Sequence, residues 1–176
     1  MLEKRADRKK YFNKIIRLIV KNPEKGLERF YNEYGKLIYS VAKSYCRSED
    51  KVNAVINNVL VRIWKKAKDL SDVQNPEGFI FMVAKNCARD EMSELWNYEL
   101  NEKICSSEDS FIEIEEKDSF DYLISKLKEH EQEILILRFR QGYTFQDIAY
   151  IKEKPLATIT TTYYRALEKI KTVIKK

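Results

Sequence analysis

The sequence predicts an all-α protein, an N-terminal helical bundle and a C-terminal helix-turn-helix domain joined by an acidic linker. Three observations predict it. Apolar residues recur at helical spacing in both halves, only four Gly and three Pro interrupt the 176 residues, and a composition that is 44% hydrophobic and 35% charged supplies packed cores with long solvated faces.

The elements follow in chain order. Residues 11–20, YFNKIIRLIV, read as a short leading helix behind a basic tip expected to be disordered. Phe30, Tyr34, Leu37, Ile38, Val41, Ala42 and Tyr45 fall at i, i+4, i+7, i+8, i+11, i+12 and i+15, the stripe of an amphipathic helix. Val52, Val55, Ile56, Val59, Leu60, Ile63 and Trp64 repeat that stripe, and Trp64 on it reads as core. Asn75 then precedes Pro76, an N-cap residue with proline at the first helical position, and Phe79, Val83, Ala84, Cys87 and Ala88 supply the apolar face of a third helix.

In the second half, Leu123, Ile124 and Leu127 open a helix that EILILRF, residues 133–139, continues, and Gln141 with Gly142 ends it. Thr144 stands three residues ahead of Asp147, a shortened capping box that starts a helix with Ile148, Ala149 and Ile151. Lys152 to Lys154 make a turn. Pro155 then starts a last helix whose inward residues are Ile159, Tyr163, Ala166, Leu167, Ile170 and Ile174. A short helix, a tight turn and a longer helix with a polar outer face form the helix-turn-helix pattern.

Charge divides the chain the same way. Residues 1–100 hold 20 basic and 14 acidic side chains, residues 101–121 hold 2 and 8, and residues 122–176 hold 11 and 6, so nets of +6, −6 and +5 lie within the overall +5. These boundaries give a helical domain at 1–100, an acidic linker at 101–121 and a helix-turn-helix domain at 122–176. Two basic modules around an acidic tether fit a nucleic-acid partner, whose charge the tether could mimic.

Several function classes fall away. The longest apolar run, Phe79 to Ala84, is far short of the roughly 20 residues a spanning helix needs, so no membrane insertion and a cytoplasmic location are expected. Cys46, Cys87 and Cys105 are odd in number and scattered, favouring reduced structural thiols. His130 sits among Glu129, Glu131 and Glu133, a pattern better read as a solvated face than as a metal site. With no glycine-rich phosphate loop and no nucleophile beside a base, neither an enzyme nor a cofactor is expected.

The last helix can lie in a DNA major groove, whose width matches it. Its outer face is Ala157, Thr158, Thr160, Thr161, Tyr164, Arg165 and Glu168. Threonine can donate to phosphate or touch a thymine methyl, and Arg165 can reach guanine or phosphate. Trp96 and Tyr98, among polar residues after the third helix, fit equally well stacking on an unpaired base or covering a neighbouring helix.

GYTFQDIAYIKEKPLATITTTYYRALEKI resembles region four of bacterial sigma factors, G-Y-S-Y-E-E-I-A-x-x-L-G-x-P-x-G-T-V-x-S-R-L-x-R-A-R, without a gap. YNEYGKLIYSVAKSYC, VINNVLVRIWKKA and NPEGFIFMVAKNCARDEM similarly resemble region two. The resemblance is to the small two-domain, extracytoplasmic-function type of the sigma-70 family. It implies a sigma factor that directs core RNA polymerase to promoter DNA and initiates transcription, with an anti-sigma factor as a further partner. By the same resemblance Asn57, Asn58 and Arg62 face polymerase, Lys85, Asn86 and Arg89 lie near the melted strand, and Thr158, Thr160, Thr161, Tyr164 and Arg165 read duplex DNA.

The chain departs from the family where charge matters. Lys51, Asn53, Ala54 and Asn58 replace an acidic cluster, Asn57 replaces a glutamine, Asp90, Glu91 and Glu94 stand where arginines are usual, and Thr160 and Thr162 take two basic or polar positions. Weak DNA binding by the C-terminal part alone is therefore expected. These losses keep two alternatives open, a polymerase-independent helix-turn-helix regulator and a sigma-fold protein-interaction module.

Overall fold

The computed structural model describes the backbone of residues 2–46, 48–102 and 119–174 and the side chains of residues 6–46, 48–92, 120 and 122–174. Eight α-helices and no strand occur among the described residues: α1 (Leu2–Lys21), α2 (Pro23–Tyr45), α3 (Glu49–Lys66), α4 (Pro76–Glu102), α5 (Ser119–Ser125), α6 (Glu129–Phe139), α7 (Phe145–Lys152) and α8 (Leu156–Ile174), with a single 3-10 turn at Ala67–Asp69.

The leading helix is twice the expected length, because α1 runs back through the basic tip. Phe12, Ile15, Ile16 and Ile19 bury its inner face, and cations of the tip find carboxylates: Arg8 lies 3.2 Å from Glu77, and Lys9 is 3.0 Å from Asp72. Asn22 Oδ1 accepts the Lys25 N–H at 3.2 Å to start α2 behind Pro23, and Ser48 caps α3. Asn75 caps α4 as its sequence position predicts, accepting the Gly78 N–H at 2.9 Å. Helix α4 continues to Glu102, into the stretch expected to be linker, carried by the good helix formers Met, Glu and Leu of residues 92–102. Residues 103–118, most of the acidic linker and Cys105 with it, lie outside the described residues, as do the side chains of Trp96 and Tyr98.

The continuous helix expected from Leu123 to Phe139 is two helices. The chain turns at 126–128, and Glu131 restarts it by accepting the Lys128 N–H at 3.0 Å. After α6, Gly142 takes φ 69°, the left-handed conformation glycine tolerates, and the Tyr143 N–H returns to the Leu137 carbonyl at 3.1 Å. Thr144 and Asp147 make the capping box of α7 reciprocally, at 3.1 and 3.2 Å. Glu153 closes that helix at φ 51°, left-handed without being glycine; the region-four pattern places its glycine at this position.

One core crosses the expected domain boundary. Ile134, Leu137, Ile148, Ile151 and Ile159 join the apolar residues of α1–α4 in a single cluster, while Ile124, Leu127, Leu135, Ile136 and Ala166 form a smaller one under α5, α6 and α8. Gly78 allows the two halves to meet: a Cβ there would come within 2.7 Å of the Ile151 carbonyl and 2.4 Å of Asn75 Nδ2. Asn75 Nδ2 donates to the Tyr150 carbonyl at 2.7 Å, and the Tyr150 hydroxyl donates to the Gln74 carbonyl at 2.7 Å. Cys46 and Cys87 are free and buried, and burial pushes both thiols up. No described helix is long and apolar enough to cross a membrane.

Candidate nucleic-acid interface

Helix α8 buries Ile159 and Ala166 and turns Thr158, Thr161, Tyr164 and Arg165 outward. Tyr164 is 60% exposed, and Arg165 makes no ion pair among the described residues. Thr160 sits on the flank instead: it is part-buried, and its hydroxyl donates back to the Leu156 and Ala157 carbonyls at 3.1 and 3.0 Å. Thr161, Tyr164 and Arg165 line an open hollow of about 560 Å³ whose opposite wall is the start of α6, with Lys128, His130 and Glu131. Behind α8, rings pack in series, Phe139 on Tyr163 at 6.0 Å and Tyr163 on Phe145 at 4.9 Å, while Arg138 covers Phe145 and donates to the Tyr143 carbonyl at 2.9 Å. Arg138 is thus committed to holding the α6–α7 corner.

The three α4 residues have unequal surroundings. Asn86 is exposed. Lys85 is held inside the junction between the halves, its ammonium 2.7 Å from Glu133 and 3.3 Å from Glu129, with only 13% of its side chain exposed. Arg89, more open, reaches Glu129 at 2.8 Å. The Tyr45 hydroxyl donates to Glu129 at 2.6 Å, and Lys152 completes an ion pair with Glu133. Burial and the hydrogen bond to Glu129 push the Tyr45 hydroxyl well up. The Tyr45 hydroxyl, and with it Lys85 and Arg89, hold Glu129 below the usual carboxylate range.

Sequence reasoning missed Glu129 and Glu133 as parts of this cluster by reading residues 129–133 as a solvated face. His130 is exposed, but Glu131 and Glu133 are each 4% exposed, and Glu131 lies 2.5 Å from Lys169. One signal was available: Glu133 opens the densest apolar run of the second half, where a carboxylate is buried with its neighbours and needs a cation. No group of His, Cys, Asp or Glu among the described residues is arranged to hold a metal.

On α3, Asn57, Asn58 and Arg62 all face outward. Arg62 is tied to Asp90 of α4 at 2.5 Å, so an acid that replaces a family arginine balances a cation on the neighbouring helix. Trp64, expected in the core, is 50% exposed beside Val61 at 43%; it ends the stripe one position past Ile63, which is buried instead. The outer face of α3 therefore carries two amides, an arginine and an indole.

A third polar junction joins α1, α4 and α7. Arg8 contacts Glu77 Oε1 and, at 3.6 Å, Asp147; Glu77 is buried, and its Oε2 has no hydrogen-bond partner among the described residues. Burial, reinforced by the charge of Glu77, pushes the Tyr143 hydroxyl up to about 12.

Comparison with known proteins bears on the family and the fold. The sequence model of sigma-70 region 2 covers residues 30–97, and that of sigma-70 region 4 covers residues 117–170. No curated protein sequence matches the chain. Among solved structures, the fold is similar to that of CnrH in complex with the cytosolic domain of CnrY, with 14% identity, TM-score 0.65 and 93% of this chain and 96% of that one covered. It is also similar to the sigma factor RpoE in complex with the anti-sigma factor NepR from Bartonella quintana, with 18% identity, TM-score 0.61 and coverage of 86% and 98%. With regions 2 and 4 in succession across most of its length, the chain belongs to the sigma-70 family of transcription initiation factors, which bind core RNA polymerase and promoter DNA, in its small two-domain, extracytoplasmic-function form.

Proposed function

We propose that this sigma factor divides its work among three groups of residues. Asn57, Asn58 and Arg62, with Val61 and Trp64 beside them, meet the polymerase; Lys85, Asn86 and Arg89 meet the separated strand; and Thr158, Thr161, Tyr164 and Arg165, with Thr160 on the flank, meet the promoter duplex. The observation that carries the reading is the row of exposed residues on α8, ending at Arg165, which makes no ion pair among the described residues, with Ile159 and Ala166 locking the helix from behind. The protein acts in the cytoplasm, beside the polymerase and the promoters.

The packed arrangement is, on this reading, a closed form. Lys85 is enclosed by carboxylates of the other half, so strand binding requires residues 1–100 and 122–176 to part as two domains. The 16 residues between α4 and α5 can span at most about 55 Å, which leaves room for that separation. A partner protein that clasps the closed form, as CnrY and NepR accompany CnrH and RpoE in the similar structures, would hold it away from promoters.

The test is run-off transcription with purified core polymerase and genomic fragments from the same organism. Initiation at defined sites is expected. Binding to operators without polymerase would instead mark an independent regulator, and neither activity would mark an interaction module.

A further inference from the structure

Residues 8–23 contain six cations and no acid. Arg8 and Lys9 turn to Glu77, Asp147 and Asp72, whereas Lys10, Lys14, Arg17 and Lys21 are exposed. At 3.6 residues per turn these four fall within about 60° of one another, opposite Phe12, Ile15, Ile16 and Ile19, and span about 16 Å along α1. None makes an ion pair among the described residues, and Glu24 and Glu28 of adjacent α2 make none with them. Some cations elsewhere on the surface are matched, as Lys43 is by Glu49, Arg62 by Asp90 and Lys171 by Glu168.

A face that only keeps a protein in solution mixes both signs. This one does not, and like charges three or four residues apart oppose the helix that carries them. A row held in that state by the buried face beneath it is complementary to a regular line of anions.

We propose that the outer face of α1 is a contact for the phosphate backbone of duplex DNA, independent of base sequence and outside both regions matched by the family models. Each strand of a duplex carries one negative charge per roughly 3.4 Å of axis, so a 16 Å row faces about five charges. A membrane-surface helix would lay its apolar face in lipid, but that of α1 is committed to the core. A single-strand site would offer rings for bases to stack on, and the row contains none. The position fits as well: Arg8, two residues before Lys10 and on the side of α1 opposite the row, reaches Asp147 of α7, which sets α1 beside the helix-turn-helix, and the first helix of such a motif is the one that crosses the DNA backbone. The proposal rests on the reading of α8 as the duplex-facing helix and extends that contact onto α1.

The test compares the full chain with the variant K10Q/K14Q/R17Q/K21Q, in which glutamine preserves helix propensity and helicity is checked by circular dichroism. Both are titrated with a 30-base-pair duplex of arbitrary sequence at salt concentrations between 50 and 200 mM. Four released counterions steepen the wild-type salt dependence by about 3.6 in log–log slope, so over that range the wild type loses roughly 150-fold more affinity than the variant. Equal slopes, or no binding by the wild type at 50 mM salt, would overturn the proposal. So would anionic phosphatidylserine vesicles that distinguish the two proteins while the duplex does not. Arg165→Ala separates this outcome from the reading of α8: if it leaves promoter use unchanged while the quadruple variant still loses slope, the α8 assignment fails and the α1 contact stands.

Discussion

Glu133→Gln is expected to loosen the junction between the two halves. The Glu133 carboxylate is 4% exposed and lies between the ammonium groups of Lys85, at 2.7 Å, and Lys152. An amide of the same size preserves the packing but leaves two lysines, 13% and 16% exposed, facing a neutral group. Removing one member of a buried ion pair costs about 3–5 kcal/mol. Lys85 keeps Glu129 at 3.3 Å and both lysines touch solvent, so the lower end, about 3 kcal/mol, applies. With a factor of ten for every 1.4 kcal/mol, that moves the balance of closed and open forms by about 100-fold. The assay is a double-mutant cycle of Glu133→Gln with Lys85→Gln, read by urea unfolding, because the cycle reports the pair itself rather than its net value against solvation. Coupling of about 1–3 kcal/mol is expected. Glu133→Gln should also bind a single-stranded oligonucleotide more tightly than the wild type, a gain that Lys85→Gln removes. Coupling below about 0.3 kcal/mol, the additive limit for residues that do not interact, would refute the junction.

Arg165→Ala should lower promoter use by about 1–3 kcal/mol of binding, without a change in melting temperature, in run-off transcription beside a thermal melt. Arg8→Ala should destabilise the fold by about 3 kcal/mol in urea, although its residue lies in a basic terminal segment, because it strands the buried Glu77. Glu153→Gly should stabilise it: relief of a left-handed conformation worth about 1–2 kcal/mol exceeds the added freedom of the unfolded chain, about 0.4–1 kcal/mol, and raises Tm by about 2–4 °C. Glu129 has a lowered pKa in the folded chain, so its contribution is complete above the unfolded value of about 4.3 and is lost as pH falls through the lower folded value. Melting temperatures followed from about pH 5 to pH 3 should therefore fall less steeply in Glu129→Gln than in the wild type.

Helix positions were legible because they depend on local pattern. Asn75 before Pro76 gave the start of α4, Gly142 the end of α6, and Thr144 with Asp147 the start of α7, and each does its work through hydrogen bonds to residues three to six away. What escaped was set by distant partners. Trp64 continued an apolar stripe, but the bundle closed over Ile63 and left the indole outside. The tip of α1 carried only charge, which predicts disorder until Glu77, Asp72 and Asp147 are brought to it by the fold. Glu133 could be recognised as unusual among Ile134, Leu135, Ile136 and Leu137, yet nothing within its helix points to Lys85, 48 positions earlier.

These distant pairs also change what the net charge of +5 means. Lys85 and Arg89, assigned to the melted strand by resemblance, are the cations that Glu129 and Glu133 occupy in the closed form, and Arg62 is occupied by Asp90. On the proposed reading, carboxylate and phosphate compete for the same ammonium and guanidinium groups, and strand binding costs the contacts that hold the halves together. Among the described residues, the row on α1 and Arg165 on α8 make no ion pair. On the proposed reading, duplex DNA can be engaged by the closed protein through charges already exposed, while the residues that must hold a separated strand become available only as the halves part. A sigma factor arranged in this way would show a steep salt dependence for the duplex and a shallower one for the single strand in its closed form, since the second set of phosphate contacts is withheld until opening.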